Sequence, residues 1–366
     1  MSKATLAQGP SGAPKRNPAR ADDDIARIVG AQAGTDTTRV KSENADPRTP
    51  VTLLTGWLGA GKTTLLNHLL AQPHGQRFAV LINEFGDIGI DDRLVVHAEE
   101  DLVELQNGCV CCTVRGDLVK TLRRLRKRRP PWFRRRHFDR VIIETTGIAE
   151  PAPLLRTFLL EAEMATFYVV ESVVGLVDAS RLDLALQNKS ATEQISLADL
   201  LVLNQIDLAD EEMRQSAKQT LFRLNPTAPI LETKFCQVPA LEVFKKRPPR
   251  RLEEIQNSAG EPPGQGHANI GTVSLRSSKA LDEMKVQLWL GTCVQQLGDN
   301  LIRYKGFLYL QSRPYRAILQ GTYGLFQVDA GEDWNKDEPR QTELVFIGRD
   351  LEKDFFQRGL KACEAV

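Results

Sequence analysis

The residues Gly56-Trp57-Leu58-Gly59-Ala60-Gly61-Lys62-Thr63-Thr64 fit the pattern G-x-x-x-x-G-K-[ST]. They follow an apolar run with strand character, Val51 to Thr55, and lead directly into a run with helix character, Thr64 to Leu70. Strand, glycine turn and helix in that order let successive backbone N–H groups turn inward around phosphate oxygens at a helix N-terminus. Gly56, Gly59, Ala60, Gly61 and Thr64 line that cradle. Lys62 is placed to reach the β and γ phosphates of a nucleotide, and Thr63 to offer its hydroxyl to Mg²⁺. A chain built around such a segment is expected to be an α/β protein with a mostly parallel sheet.

From Val51 onward the texture agrees: apolar runs alternate with Gly turns and helical stretches, with strands expected at Val51 to Thr55, Ala79 to Ile82, Arg140 to Ile143, Tyr168 to Leu176 and Leu200 to Leu203. The length of 366 residues suggests two domains, at roughly 100 to 200 residues each. Residues 1–49 hold no aromatic side chain and few large aliphatics, so they cannot bury enough to offset the entropy of ordering, and a disordered tail is expected. A second break, 239–268, contains Pro248, Pro249, Pro262, Pro263 and several Gly, and reads as an exposed linker. The nucleotide domain is then 50–238. Residues 269–366 form a small α+β domain, with strands near Gly271 to Leu275, Leu301 to Leu310, Arg316 to Gly321, Gly324 to Val328 and Glu343 to Ile347. Its two helices are expected to set Leu281, Met284 and Leu288 on one face and to span Leu351 to Cys363.

Two further pieces fall where a P-loop nucleotide hydrolase needs them. The apolar run Val141-Ile142-Ile143 ends in Glu144-Thr145-Thr146-Gly147, which delivers a carboxylate to the Mg²⁺ side and places the Gly147 N–H for the γ phosphate. Leu200 to Leu203 ends in Asn204-Gln205-Ile206-Asp207, similar to the guanine-reading N-K-x-D with Gln at the Lys position. A carboxylate at Asp207 can accept from both guanine N1–H and the exocyclic amine, a donor pair adenine lacks.

Three of the six cysteines crowd into Cys109, Cys111 and Cys112, within Asn107-Gly108-Cys109-Val110-Cys111-Cys112. Thiolates select soft or borderline divalent ions such as Zn²⁺, and three of them leave one tetrahedral position open, which suits an ion that is passed on. A closed structural zinc site, a redox switch and inert core cysteines are the alternatives. Upstream, Asn83-Glu84-Phe85-Gly86-Asp87 carries Glu84 and Asp87, either of which could add a carboxylate ligand or serve only as a capping or solvated group. Cys236, Cys293 and Cys363 stand alone and read as small core residues.

In this order, the P-loop, N-E-F-G-D, G-C-V-C-C, E-T-T-G and N-Q-x-D elements resemble the CobW family of metal-chaperone GTPases, related to the urease and hydrogenase accessory GTPases. Leu344-Val345-Phe346-Ile347-Gly348-Arg349-Asp350-Leu351 resembles the signature closing the CobW C-terminal domain, so the likeness covers residues 50–366. It implies a P-loop GTPase domain with a mostly parallel sheet followed by a small α+β domain. It also implies a cytoplasmic GTPase that binds Zn²⁺, Co²⁺ or a similar ion and hands it to a client metalloprotein. By the same resemblance Gly56 to Thr64 bind phosphates, Thr63 and Glu144 serve Mg²⁺, Asn204 and Asp207 face guanine, and Cys109, Cys111 and Cys112 bind the cargo ion. The chain departs from the pattern at Gln205, and its linker carries only His267 where many relatives have a His-rich stretch.

Charge excludes little else. Lys plus Arg total 48 against 47 Asp plus Glu, a net +1, so no global field draws the chain to nucleic acid or anionic lipid. Ten Lys/Arg between Lys120 and Arg136, with Trp132 and Phe133 among them, read as a solvated helix face and a loop. No apolar run approaches the ~18 residues of a bilayer span. Neither a nucleic acid nor a membrane is an expected partner; GTP, a divalent ion, a client metalloprotein and a second copy of the chain are. The reading is a GTP-driven metal chaperone, and the alternative is a nucleotide-switched activator or scaffold with no obligatory metal transfer.

Overall fold

The computed structural model describes residues 48–72, 76–82, 118–123, 138–259 and 270–365, together with the backbone of 94–97. β1 (Thr49–Gly56) leads through the glycine turn into α1 (Lys62–Ala71), then β2 (Phe78–Ile82), β3 (Leu94–His97) and β4 (Arg140–Glu144). After these come α2 (Ala152–Leu160), α3 (Ala162–Phe167), β5 (Tyr168–Asp178), α4 (Leu182–Ala185), α5 (Lys189–Leu197), β6 (Leu200–Asn204), α6 (Glu211–Leu224) and β7 (Ile230–Glu232). These strands form one sheet in the order β3-β2-β4-β1-β5-β6-β7, parallel except for the β2–β3 pair. The chain winds to one side of β1 through β4 and then crosses to β5, so the loop after β1 lies at the point where the winding reverses. In open α/β sheets that is where ligands bind, beyond the carboxyl ends of the strands.

Burial on both faces explains why the strands read as continuous apolar runs. Leu53, Val141, Ile143, Leu201 and Leu203 point into one core, while their neighbours Leu54, Ile142, Leu200 and Val202 point into the other.

α7 (Ala240–Phe244) and α8 (Leu252–Ala259) occupy much of the stretch whose composition suggested an exposed linker. Within 240–259 that expectation is corrected. Val243 is fully buried in the core beneath α1, Leu252 and Ile255 are buried, and Gln72 braces the approach through its Nε2 to the Val238 carbonyl and its Oε1 to the Ala240 N–H. Prolines stop these helices from lengthening, but a few well-spaced apolar residues suffice to dock them.

The second sheet comprises β8 (Ile270–Ser277), β9 (Leu301–Leu308), β10 (Tyr315–Thr322), β11 (Leu325–Asp333) and β12 (Thr342–Arg349). Their order is β11-β10-β9-β12-β8, antiparallel throughout. Period-two alternation on β12 turns Leu344 and Phe346 toward α9 (Glu283–Leu297) and α10 (Lys353–Ala362), while Val345 and Ile347 join the core of the first sheet. An aromatic stack fills the helix side: Phe346 lies 4.5 Å from Phe356 and 5.8 Å from Tyr304, centroid to centroid. The expected apolar face of α9 is wrong. Met284 and Leu288 are each 66% exposed, and Leu281 precedes the helix, which is capped by Asp282. The buried stripe is Val286, Trp289, Leu290 and Cys293, an i, i+3, i+4, i+7 set one notch round the same helix.

Candidate nucleotide site

Gly61 caps α1 with φ 104°, in the left-handed region, and no side chain caps the first turn. The first-turn N–H groups are thus left facing the loop, as an anion site requires. A β-carbon at Gly61 would lie 2.7 Å from Asn204 Nδ2 and 2.9 Å from Cys236 Sγ, so space as well as φ calls for glycine.

Lys62 is buried, and its Nζ donates to the carbonyls of Gly56 at 2.8 Å and Trp57 at 3.2 Å. Burial lowers its pKa, an effect the Glu144 carboxylate opposes. Thr63 Oγ1 donates to Glu144 Oε1 at 2.6 Å, from the first turn of α1 to the end of β4. Thr145 fastens that end through its N–H and hydroxyl to the Leu54 carbonyl and through the hydroxyl to Thr55 Oγ1. A hydroxyl and a carboxylate oxygen side by side are a hard oxygen pair of the kind Mg²⁺ takes. Gly147 presses on the phosphate loop: a β-carbon there would lie 2.7 Å from Leu58 N and 2.8 Å from Leu58 Cα.

Around the base side, Asn204 is fully engaged with protein. Its Nδ2 donates to the Ala60 carbonyl at 3.0 Å and its Oδ1 accepts from the Cys236 N–H at 3.0 Å. Gln205 has φ 59° and sends Nε2 to the Gly59 carbonyl at 2.9 Å, so the residue standing where Lys is usual still ties this loop to the phosphate loop. Asp207 is exposed. Sequence reasoning overlooked two contributors. One is the turn after β7, where Phe235 and Cys236 both adopt positive φ, Phe235 is exposed, and the Cys236 thiol donates to the Gly61 carbonyl at 3.3 Å. The other is Gln194 on α5, whose Nε2 donates to the carbonyls of Gly147 at 3.2 Å and Ala149 at 2.9 Å. Neither carries a local sequence signal, because each acts through a backbone distant in the chain.

Cys109, Cys111, Cys112, Glu84 and Asp87 lie outside the described residues, as do residues 1–47 of the tail and most of the basic run, whereas Thr49 already belongs to β1. Among the described residues no group of three or more His, Cys, Asp or Glu is set to hold a metal, and no helix is long and apolar enough to cross a membrane. Cys236, Cys293 and Cys363 are buried free thiols, pushed by burial up to about 11, 12 and 11. They are therefore poor thiolates at neutral pH.

Residues 50–232 match the family model described as CobW/HypB/UreG, nucleotide-binding domain, and residues 270–364 match the cobalamin synthesis protein CobW C-terminal domain. The chain belongs to the CobW family. One CobW relative, the zinc chaperone YjiA of Escherichia coli, is 32% identical over 310 residues, covering 83% of this chain and 95% of the relative. The zinc-regulated GTPase metalloprotein activator 1 of Schizosaccharomyces pombe is 39% identical over 194 residues, 51% of this chain and 46% of that protein. The crystal structure of Zn(II)-bound YjiA GTPase from E. coli superposes with a TM-score of 0.63 at 27% identity, covering 87% of this chain and 99% of the other. The P-loop GTPase fold followed by the antiparallel C-terminal sheet is thus the CobW arrangement.

Proposed function

We propose that this chain is a GTP-hydrolysing metallochaperone. In this reading it binds a divalent transition metal, zinc first and cobalt second, at Cys109, Cys111 and Cys112, and delivers it to a client metalloprotein in the cytoplasm. The observation that carries the reading is the coincidence, in one CobW chain, of an assembled phosphate loop with a Cys-Val-Cys-Cys element and a near-full-length relative named a zinc chaperone. Residues 50–238 would act as the nucleotide half and 269–366 as the C-terminal half. Glu84 and Asp87 are carboxylate co-ligands in the same reading, and a second copy of the chain is a further partner.

The described geometry supports the nucleotide part. With GTP in place, Lys62 exchanges the carbonyls of Gly56 and Trp57 for β and γ phosphate oxygens, and Gly147, already against Leu58, presents its N–H to the γ phosphate. Thr63 and Glu144 would hold Mg²⁺, which neutralises charge on the phosphates when bound. Asp207 reads guanine, with Gln205 and Asn204 holding the loop that carries it. GTP is therefore expected to bind more tightly than ATP, and Gln205→Lys to widen the preference, since a longer stem can cover the base. Competition binding of the two nucleotides checks this, and equal affinities would remove Asp207 from the base site.

If the thiols form an open cargo site coupled to the nucleotide, Zn²⁺ affinity rises when a GTP analogue replaces GDP, and by linkage Zn²⁺ tightens the analogue by the same factor, about 5- to 150-fold. Titration of Zn²⁺ and Co²⁺ against the GDP-bound, analogue-bound and Cys111→Ala protein tests it. Cys111→Ala is expected to lose metal while the fold and nucleotide binding survive. The name of the S. pombe relative favours the second reading, a nucleotide-switched activator. Metal affinity indifferent to nucleotide and to Cys111→Ala would put that reading first.

A further inference from the structure

α5 is an unusual surface for a helix of only nine residues: all seven from Ala191 to Leu197 are buried, and it touches both halves of the protein. On its sheet side Gln194, 1% exposed, grips the carbonyls of Gly147 and Ala149. Since Gly147 is wedged against the backbone of Leu58, Gln194, bonded to the carbonyls just past the Gly147 N–H, holds the segment that faces the phosphate loop.

The same helix is clamped from behind. Asn188 caps its N-terminus, and the Asn225 amide Nδ2 donates to the carbonyls of Ile195, Ser196 and Ala198 at its C-terminus. Its neighbour Glu193 lies 4.0 Å from Arg349 at the end of β12. Directly after α5, Asp199 takes the Val173 N–H at 2.9 Å and pairs with Arg303 at 2.5 Å and with Lys305, both from β9. This buried helix thus contacts the Gly147 segment on one side and, through Glu193 and the adjoining Asp199, the C-terminal sheet on the other.

We propose that Gln194 is a positioning residue for the Gly147 peptide, and that the C-terminal sheet, by holding α5 through Asp199, Arg303 and Lys305, tunes the preference for GTP over GDP. The proposal rests on Gly147 meeting the γ phosphate. GDP lacks that phosphate, so disturbing the Gln194 contacts should weaken the triphosphate form selectively, whereas a residue of merely structural value would weaken both.

The test is the ratio of Kd values for GDP and a non-hydrolysable GTP analogue, measured on the full chain. Gln194→Met keeps the volume and removes both donors. It is expected to weaken the analogue by about 10-fold, the loss of two net hydrogen bonds of modest strength, and to leave GDP within about 2-fold. Arg303→Met, which leaves Lys305 on Asp199, should move the ratio in the same direction by less. Equal loss for both nucleotides, or none, overturns the positioning role, and an unchanged ratio in Arg303→Met overturns the part played by the C-terminal sheet. Should Gln194→Met fail to fold, amide exchange on the wild-type chain decides. The analogue, relative to GDP, should slow exchange across Lys189–Leu197 and Leu301–Leu308, and identical exchange overturns the proposal. A wild-type chain that binds neither nucleotide sinks the nucleotide reading itself, an outcome distinct from binding with an unshifted ratio.

Discussion

Lys62→Ala is expected to lower kcat/KM for GTP by about 100- to 1,000-fold, the range found when one preorganised donor to a developing charge is removed. The melting temperature should move little. Without nucleotide the ammonium is buried and bonded to the carbonyls of Gly56 and Trp57, and its pKa is lowered by burial. A cation held in a low-dielectric site by two neutral carbonyls gains far more from an arriving triphosphate than one in water does. Alanine removes that gain and leaves two loop carbonyls to find water. Phosphate release and calorimetric binding of a GTP analogue measure the change. Turnover at the wild-type rate would remove Lys62 from the site.

The second large effect is on stability. Asp199→Asn is expected to cost about 3 to 5 kcal/mol, because it leaves the cations of Arg303 and Lys305 buried without their counter-charge. Thermal and urea unfolding of the full chain read it. The pH dependence has a definite sign. Burial alone would raise the Asp199 pKa, but Arg303 and Lys305 outweigh it and hold the carboxyl at about 2, below its ordinary 3.8. The stabilisation is therefore complete above about pH 4 and is lost as pH falls toward 2. Burial pushes Lys305 the other way, from 10.5 down to about 8, against the pull of Asp199. Its folded pKa lies below its unfolded one, so between pH 8 and 10.5 the unfolded chain holds more protons and this group adds stability as pH rises. Acid, not alkali, should loosen the seam between the sheets.

Much of this architecture can be read from local signals. Val51 to Thr55, Arg140 to Ile143 and Leu200 to Leu203 are short apolar runs that end in glycine or polar turns, and each forms a strand in the parallel sheet. The phosphate loop is legible because its chemistry is contiguous: one turn of backbone, one lysine and one hydroxyl do the binding. What escaped is everything decided between distant segments. α9 carries two apolar stripes, and which one is buried depends on the aromatic stack beneath it, where Trp289 fits and Met284 does not reach. Prolines around 248 argue for a linker, yet Val243 and Leu252 find cores that only the folded chain provides. Gln194 looks like any helix glutamine until β4 brings Gly147 to it, and Cys236 like any core thiol until β7 brings it beneath Gly61.

The core beneath α5 is shared: Ile195 and Leu197 belong to the same buried cluster as Ile302, Val345 and Ile347. On the ribosome this becomes a matter of time. β12 is synthesised roughly 150 residues after Asp199, a delay of about 8 to 30 s at 5–20 residues per second. Arg303 and Lys305 follow about 105 residues after Asp199, and until β9 and then β12 emerge the outer face of α5 lacks its partners, although every described residue of the phosphate loop has already been made. The nascent nucleotide half is therefore expected to stay incompletely packed over that interval, and GTP competence should appear only after Ile347 has cleared the exit tunnel.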